Sequence, residues 1–230
     1  MILYVNGAEH TSAVRAKHHF TYANDDPRFI YMGKQPHPEN LELGFARRLN
    51  MVLKTTIVND ARPYASNTRI MRTTREYLDS NQLSKEKQFI LIHWAPFDRD
   101  EFLIDGKYHP VSASIDLDVP KSLEKKFKRF KRTYDEEQTQ KYWHHQFWLL
   151  HKELKEKDIP HLFAMESAPL GLLTRKHNWG DNFIDPYTMG SSMLGITSTY
   201  LNPDGHGFFQ EKGHLRYMSH IIPTCIKLVS

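Results

Sequence analysis

Cysteine is nearly missing from this chain of 230 residues, which contains one, Cys225. A single thiol cannot form an intramolecular disulfide or build a cysteine-based zinc cluster. Cys225 lies in the apolar stretch IIPTCIKLV. We therefore expect a small buried side chain there rather than a catalytic thiol, in a protein that suits a reducing compartment.

Long apolar runs and a strong charge of one sign are also missing. No run of about 18 apolar residues is present, so we expect no membrane-spanning segment. The segment MILYVNGAEHTS becomes polar too early for a signal peptide. The formal net charge of +4 mildly favours anionic partners, but it is too small to predict a nucleic-acid partner.

Four short apolar runs predict strands, and they begin at Ile2 (ILYVN), Thr55 (TTIVN), Phe89 (FILIHW) and His161 (HLFAM). Their nearly continuous apolar character is typical of strands buried on both faces, and hence of a parallel sheet. Strands that alternate with helical patterns predict a doubly wound α/β fold, a three-layer α/β/α sandwich. In such a fold the ligand site lies at the carboxyl ends of the strands.

Four apolar stripes at helical spacing supply the expected helices. They are Leu41, Phe45, Leu49, Val52 and Leu53; Ile70, Thr74, Tyr77 and Leu78; Trp143, Phe147, Leu150 and Leu154; and Leu215, Met218, Ile221 and Ile222. We expect one domain over residues 1–230, with insertions at about 10–38 and 98–135. The second insertion contains the basic run KSLEKKFKRFKR, residues 121–132, either a solvated helix face or a contact surface for an anionic partner.

Polar residues follow the first two predicted strands. The first strand ends in YVNGAEHTSA, and a Gly7 turn would hold Glu9 above the sheet edge, where α/β hydrolases place a nucleophile. A surface turn without chemistry is the alternative. After the second strand, Ser66 or Asn67 is a candidate helix N-cap. Asn67 is also a candidate oxyanion donor, and Arg69, with the arginines that follow it, could form an anion-binding edge.

Two further blocks complete the candidate site. The third strand ends in IHWAPFDRDEF, which would place Trp94 and Arg99 at the rim of the same crevice, although packing in the core would also explain Trp94. Near the C-terminus, Asp204 could orient His206 as a base. The triplet Asp-Gly-His is also a common turn.

Taken together, these blocks resemble the SGNH (GDSL-type) hydrolase superfamily, and most closely the SGNH-like proteins of tailed marine and cyanobacterial phages. The matching text is NGAEHT, QPHPENL, SNTRIMRTT, WAPFDRDEF and DGHGFFQEKGH, which covers almost the whole chain. SNTRIMRTT is its most specific part.

The resemblance implies hydrolysis of esters, often acyl or acetyl groups on carbohydrate, without a cofactor or metal. It implies that Glu9, Asp204 and His206 occupy the catalytic positions, with Gly7, Ala65 and Asn67 near the oxyanion. It also implies carbohydrate or phage structural proteins as partners, and a location in the host cytoplasm or the virion.

The sequence departs from the superfamily where chemistry matters. Glu9 occupies the slot of the nucleophilic serine, Ala65 stands near a glycine slot, and IHWAPFDR lacks the expected asparagine. A carboxylate at position 9 would repel an oxyanion at about 3–4 Å by roughly 1–5 kcal/mol. Ser12, three residues after Glu9, is a further candidate for the nucleophile.

Three functions stay open at this point. The first is an ester hydrolase in which Glu9 or His206 acts as a general base on water. The second is a catalytically inactive SGNH-like domain that binds a ligand or builds a virion. The third is a metal site formed by Glu9, His10 and His206.

Overall fold

A computed structural model of the chain describes residues 1–14, 16–17, 38–80, 86–115, 121–174, 176–200 and 210–230. The strands within these ranges are β1 (Ile2–Asn6), β2 (Thr56–Asn59), β3 (Gln88–Trp94), β4 (Arg99–Ile104), β5 (Lys107–Ser112) and β6 (His161–Met165). The helices are α1 (Pro38–Leu43), α2 (Phe45–Leu53), α3 (Asn67–Asp79), α4 (Lys121–Thr133), α5 (Glu136–Glu156), α6 (Met193–Thr197) and α7 (Glu211–Val229). Short 3-10 turns occupy Gly180–Asn182, Met189–Ser191 and Ser198–Tyr200.

The central sheet has four strands in the order β2-β1-β3-β6, and each neighbouring pair is parallel. All four strands lie where the apolar runs predict them, so the α/β fold with a mainly parallel sheet is confirmed. The chain leaves β1 for β2 on one side and later crosses to β3 on the other. This reversal of strand order falls at the carboxyl ends of β1 and β3, which is the usual ligand position in such sheets.

Helices cover both faces of the sheet because its side chains alternate between two apolar cores. Tyr4, Ile90 and Trp94 point to the core shared with α3 and α5. Leu3 and Leu91 point to the opposite core, shared with α2 and α7. The predicted three-layer arrangement is therefore present.

Two predicted helix faces differ from the structure. The stripe from Leu41 to Leu53 is interrupted, because α1 ends at Leu43 and α2 begins at Phe45 after Gly44, and Val52 is 47% exposed. A Cβ on Gly44 would lie 2.8 Å from the Cβ of Ala13. Glycine at the break therefore lets the start of α2 approach the turn after β1 closely.

The buried face of α7 is also rotated from the predicted stripe. Tyr217, Ile221 and Cys225 are fully buried and His214 is nearly so, whereas Leu215 is half-buried. The polar atoms of Tyr217 and His214 find partners inside the protein, which lets these residues replace aliphatic ones. The burial of Cys225 confirms the expectation for that thiol.

The insertion predicted at about 98–135 contains the antiparallel hairpin β4–β5 and the amphipathic helix α4. Most of the insertion predicted at about 10–38 lies outside the described residues. Among the helices that the structure describes, none has the length and apolar character needed to cross a membrane.

Candidate functional site

The turn after β1 is tightly wound and buried. The backbone N–H of Ser12 donates to the carbonyl of Ala8, and the Ser12 hydroxyl donates to the carbonyl of Glu9. Ser12 is fully buried, which opposes its use as a substitute nucleophile. A Cβ on Gly7 would lie 2.6 Å from the Cβ of Thr11, so this close approach requires glycine.

Glu9 and Arg99 form a buried, bidentate ion pair. Arg99 Nη1 donates to Glu9 Oε2 at 2.7 Å, and Nη2 donates to Oε1 at 2.6 Å. The side chains are 11% and 8% exposed, respectively. Glu9 stands at the carboxyl end of β1, and Arg99 begins β4, shortly after β3 ends. The pair therefore occupies the usual ligand position between the ends of these two strands.

Further contacts hold this ion pair in place. The Tyr64 backbone N–H donates to Glu9 Oε2 at 3.2 Å, and the Tyr64 ring lies 4.2 Å from the Arg99 guanidinium carbon. Tyr64 adopts the left-handed conformation, with φ of 60°, which is uncommon for a bulky residue. Burial alone would raise the pKa of Glu9, but the charge and hydrogen bonds of Arg99 lower it to about 2. Glu9 is therefore an ionised, fully engaged carboxylate.

A second buried carboxylate, Glu166, occupies the donors of the β1 turn. Its Oε1 accepts from the backbone N–H groups of Ala8 and Thr11, at 3.1 and 2.8 Å, and from the Thr11 hydroxyl at 2.8 Å. Glu166 follows β6 directly, and its side chain reaches past the end of β3. Groups of N–H donors at such a turn are suited to an oxyanion. Here an internal side chain fills that position.

Glu166 differs from Glu9 in protonation. Burial, with a further contribution from the charge of Glu9, outweighs the hydrogen bonds from Thr11 and raises the pKa of Glu166 to about 8. At neutral pH Glu166 is therefore mostly protonated, while Glu9 is ionised. Together with Arg99, the three side chains carry no net charge.

Buried histidines lie on the side of the sheet that packs against α2 and α7. His93 Nε2 shares a 2.7 Å hydrogen bond with the hydroxyl of Tyr217, and the Phe45 backbone N–H donates to His214 Nδ1 at 3.4 Å. Burial lowers the pKa of His10 to about 4 and those of His93 and His214 to about 3. These rings are neutral at pH 7 and pack as part of the fold.

The other predicted site residues serve the backbone or the core. The Ala65 N–H donates to the carbonyl of Arg62. The amide of Asn67 exchanges two hydrogen bonds with the backbone of Ala95, at 2.8 and 3.0 Å, which fastens α3 to the end of β3. Ser66, rather than Asn67, is the N-cap of α3, since its hydroxyl accepts from Arg69 N–H.

Core packing, the alternative interpretation of Trp94, is what the structure shows. Trp94 is fully buried and its ring stacks on Phe147 with centroids 3.9 Å apart, so it belongs to the core and not to the crevice rim. Arg69, predicted at an anion-binding edge, is half-buried and donates to the carbonyl of Asp60 at 2.9 Å. Asp204 and His206 lie outside the described residues.

No family model, curated protein or solved structure matches this chain. What the site can do therefore follows from its geometry. Within the described ranges, no three histidine, cysteine, aspartate or glutamate side chains are grouped to hold a metal ion. Among the described residues, the carboxylate at position 9 and the donors at the β1 turn are both engaged by other side chains of the protein.

A crevice of about 580 Å³ lies next to the ion pair, on the outer side of Arg99. Aromatic side chains from the C-terminus of α4 and the first turns of α5 form one wall: Phe130, Tyr134, Tyr142 and Trp143. Asp100 and Glu101 of β4 also line the crevice. A volume of this size and such a mixture of rings and polar groups are typical of small-molecule sites.

Sequence reasoning missed Glu166 and the pairing partner of Glu9. Glu166 could have been found, because a carboxylate directly after the buried run HLFAM falls at the same sheet edge as Glu9. The ion pair could not, because the position of Arg99 depends on the path of the chain after β3, which no periodicity in the sequence specifies.

Proposed function

We propose that this chain is an SGNH hydrolase-like domain without ester-hydrolase activity, which binds a carbohydrate in the crevice beside Arg99. The bidentate pairing of Glu9 with Arg99 carries the first half of this proposal. A general base must accept a proton near neutral pH, and a carboxylate with a pKa of about 2 has little tendency to do so. Its two oxygens also point at Arg99 instead of a reactant.

The occupied donors of the β1 turn support the same conclusion. An oxyanion hole accelerates acyl transfer only when its donors meet the charge that develops on the substrate. Glu166 Oε1 already accepts three hydrogen bonds from Ala8 and Thr11. A substrate oxygen would have to displace a side chain that is 1% exposed.

The lining of the crevice supports carbohydrate as the ligand class. Sugar rings present apolar C–H faces, which pack on aromatic side chains, and hydroxyl groups, which hydrogen-bond to carboxylates and amides. Tyr142, 56% exposed, offers such a ring, and Asp100 and Gln138 offer polar partners. Glu101 is engaged by Arg72. The acidic groups that disfavour anionic ligands at this position are therefore Asp100 and Asp135.

An active ester hydrolase is the second candidate, and the raised pKa of Glu166 is the observation in its favour. A carboxyl group protonated at neutral pH can donate a proton to a leaving group. This candidate requires His206, or Glu9 after release from Arg99, to activate water. A virion or host-cytoplasmic location is proposed from the phage resemblance alone, and mass spectrometry of purified virions tests it.

Hydrolysis of p-nitrophenyl acetate separates the two candidates. We expect the wild type, Glu9→Gln and His206→Ala to give the same rate as buffer. Turnover by the wild type that His206→Ala abolishes would establish the hydrolase and refute the inactive domain.

Binding to an array of neutral glycans tests the ligand class independently. We expect a signal that survives in His206→Ala and is lost in Tyr142→Ala. Leu149→Ala is the matched control, because Leu149 is also exposed on α5 but does not line the crevice. Absence of any glycan signal, or equal loss in both alanine variants, would refute carbohydrate binding in the crevice.

A further inference from the structure

Helix α4 concentrates positive charge far beyond the average of the chain. Its 13 residues, KSLEKKFKRFKRT, contain seven lysines and arginines and one glutamate, a formal +6. The whole chain carries +4, so everything outside α4 sums to a formal −2. The small total charge therefore hides a strongly basic surface on an otherwise slightly acidic protein.

The apolar side of α4 is fixed against the protein, so its basic side faces outward. Leu123 and Phe127 are buried, and the ring of Phe130 meets Phe102 of β4 with centroids 5.9 Å apart. The other side lines a shallow groove of about 850 Å³. Its cationic lining consists of Lys121, Lys125, Lys128, Arg129 and Arg132.

These five cations form a continuous stripe. They recur at helical spacing from Lys121 to Arg132, which are about 16 Å apart along the helix axis. Within the described residues, Lys128 has an ion pair with Glu124 at 3.8 Å. No ion pair within 4.0 Å joins Lys125, Arg129 or Arg132 to a carboxylate of the described ranges. Such a stripe has the length and charge to follow several phosphates of a polyanion.

We propose that the basic stripe of α4 binds the phosphate backbone of double-stranded nucleic acid without reading its sequence. The fit is one of charge density, since a duplex carries one negative charge per about 1.7 Å of axis. A membrane surface fits less well, because interfacial helices insert an apolar face and that of α4 is already buried in the protein. Single strands are disfavoured because the part of the lining that the structure describes contains no aromatic ring for base stacking.

The salt dependence of binding to a labelled DNA duplex of about 24 base pairs tests this proposal, between about 50 and 200 mM salt. Five phosphate contacts predict a slope of log K against log salt of about −4.5. The variant Lys125→Gln/Arg129→Gln/Arg132→Gln should reduce the slope to about −2 and the affinity at low salt by about 100-fold.

The matched control neutralises three exposed lysines at the end of α5: Lys152→Gln/Lys155→Gln/Lys157→Gln. It removes the same charge and should bind within about threefold of the wild type. Equal weakening by both triple variants would show general attraction and refute a defined surface. Weak binding with a slope near zero, or tighter binding to anionic phosphatidylserine vesicles than to the duplex, would also overturn the proposal.

Discussion

Arg99 meets Glu9 through two parallel hydrogen bonds of 2.7 and 2.6 Å in a place from which water is nearly excluded. At this depth each charge depends on the other, because neither can recover its hydration. The position that the SGNH resemblance assigns to a nucleophile is therefore occupied by half of an ion pair. The ion pair therefore joins the turn after β1 to the start of β4 as a structural contact.

Breaking the ion pair from one side should destabilise the fold more than removing it entirely. We expect Glu9→Leu or Arg99→Met to lower the free energy of unfolding by about 3–5 kcal/mol, because each leaves an unpaired buried charge. The double variant should lose less than the larger single effect. Urea denaturation of the four proteins measures this coupling, and additive losses would contradict it.

Glu166 should make the protein less stable as the pH rises. In the unfolded chain its pKa is near 4.5 and in the fold about 8, so between these values unfolding releases a proton. Ionisation therefore favours unfolding from about pH 5, and the effect is complete above pH 8, on the order of 5 kcal/mol.

The isosteric variant Glu166→Gln separates this contribution from other titrations. Its amide oxygen can accept the same three hydrogen bonds and cannot ionise. Above about pH 7, where the histidines no longer titrate, we expect its stability to be nearly flat up to about pH 8.5 while that of the wild type declines. Parallel pH profiles for the two proteins, from urea midpoints, would exclude a raised pKa for Glu166.

The close approach of Gly7 to Thr11 predicts a steric effect. In Gly7→Ala the new Cβ would lie 2.6 Å from the Cβ of Thr11, and Thr11 holds Glu166. We expect a loss of about 1–3 kcal/mol in unfolding free energy. Gly190→Ala is the control, since its Cβ would meet nothing within 4 Å. Similar losses at both positions would argue against crowding at the β1 turn.

Acid should unfold the protein through its buried neutral histidines. Burial lowers the pKa of five histidines to about 4 or below: His10, His93, His151, His161 and His214. Their unfolded pKa of 6.5 means that unfolding takes up protons below that value, so stability falls from pH 6.5 towards pH 4. Each histidine lowers the free energy of unfolding by about 1.4 kcal/mol for every unit by which the pH falls in this window.

Calorimetric unfolding at about pH 5, in buffers of different ionisation enthalpy, counts these protons directly. An uptake of several protons is expected. Stability that stays constant from pH 6.5 to 5 would contradict the neutral, buried state of these rings.

The sheet was predictable from the sequence because strands buried on both faces leave apolar runs such as HLFAM, which matches β6 residue for residue. Burial of Ile70 and Phe147 on α3 and α5 also agreed with the periodicity. Hydrophobic periodicity failed on α7, where the buried positions are held by His214 and Tyr217. Their polar atoms are satisfied by distant groups that the local sequence does not reveal.

The edge of the sheet that carries the site was predictable, but its chemistry was not. Position 9 was expected at the carboxyl end of β1 and lies there. That its carboxylate is neutralised depends on Arg99, which begins a hairpin that the prediction treated as part of an insertion. The structure places Glu166 at the same edge because parallel strands end together, and the same rule applied to β6 would have found it.

The pKa values of the two buried carboxyl groups test the account most directly. In protein labelled with [δ-13C]glutamate, Glu9→Gln and Glu166→Gln assign the two resonances by their disappearance. A pH titration followed by 13C NMR should show Glu166 protonated up to about pH 8 and Glu9 ionised at every pH at which the protein remains folded. A Glu166 that is ionised in the folded protein at about pH 6, or a Glu9 that takes up a proton before the protein unfolds, would contradict a site whose charges and donors are engaged within the protein.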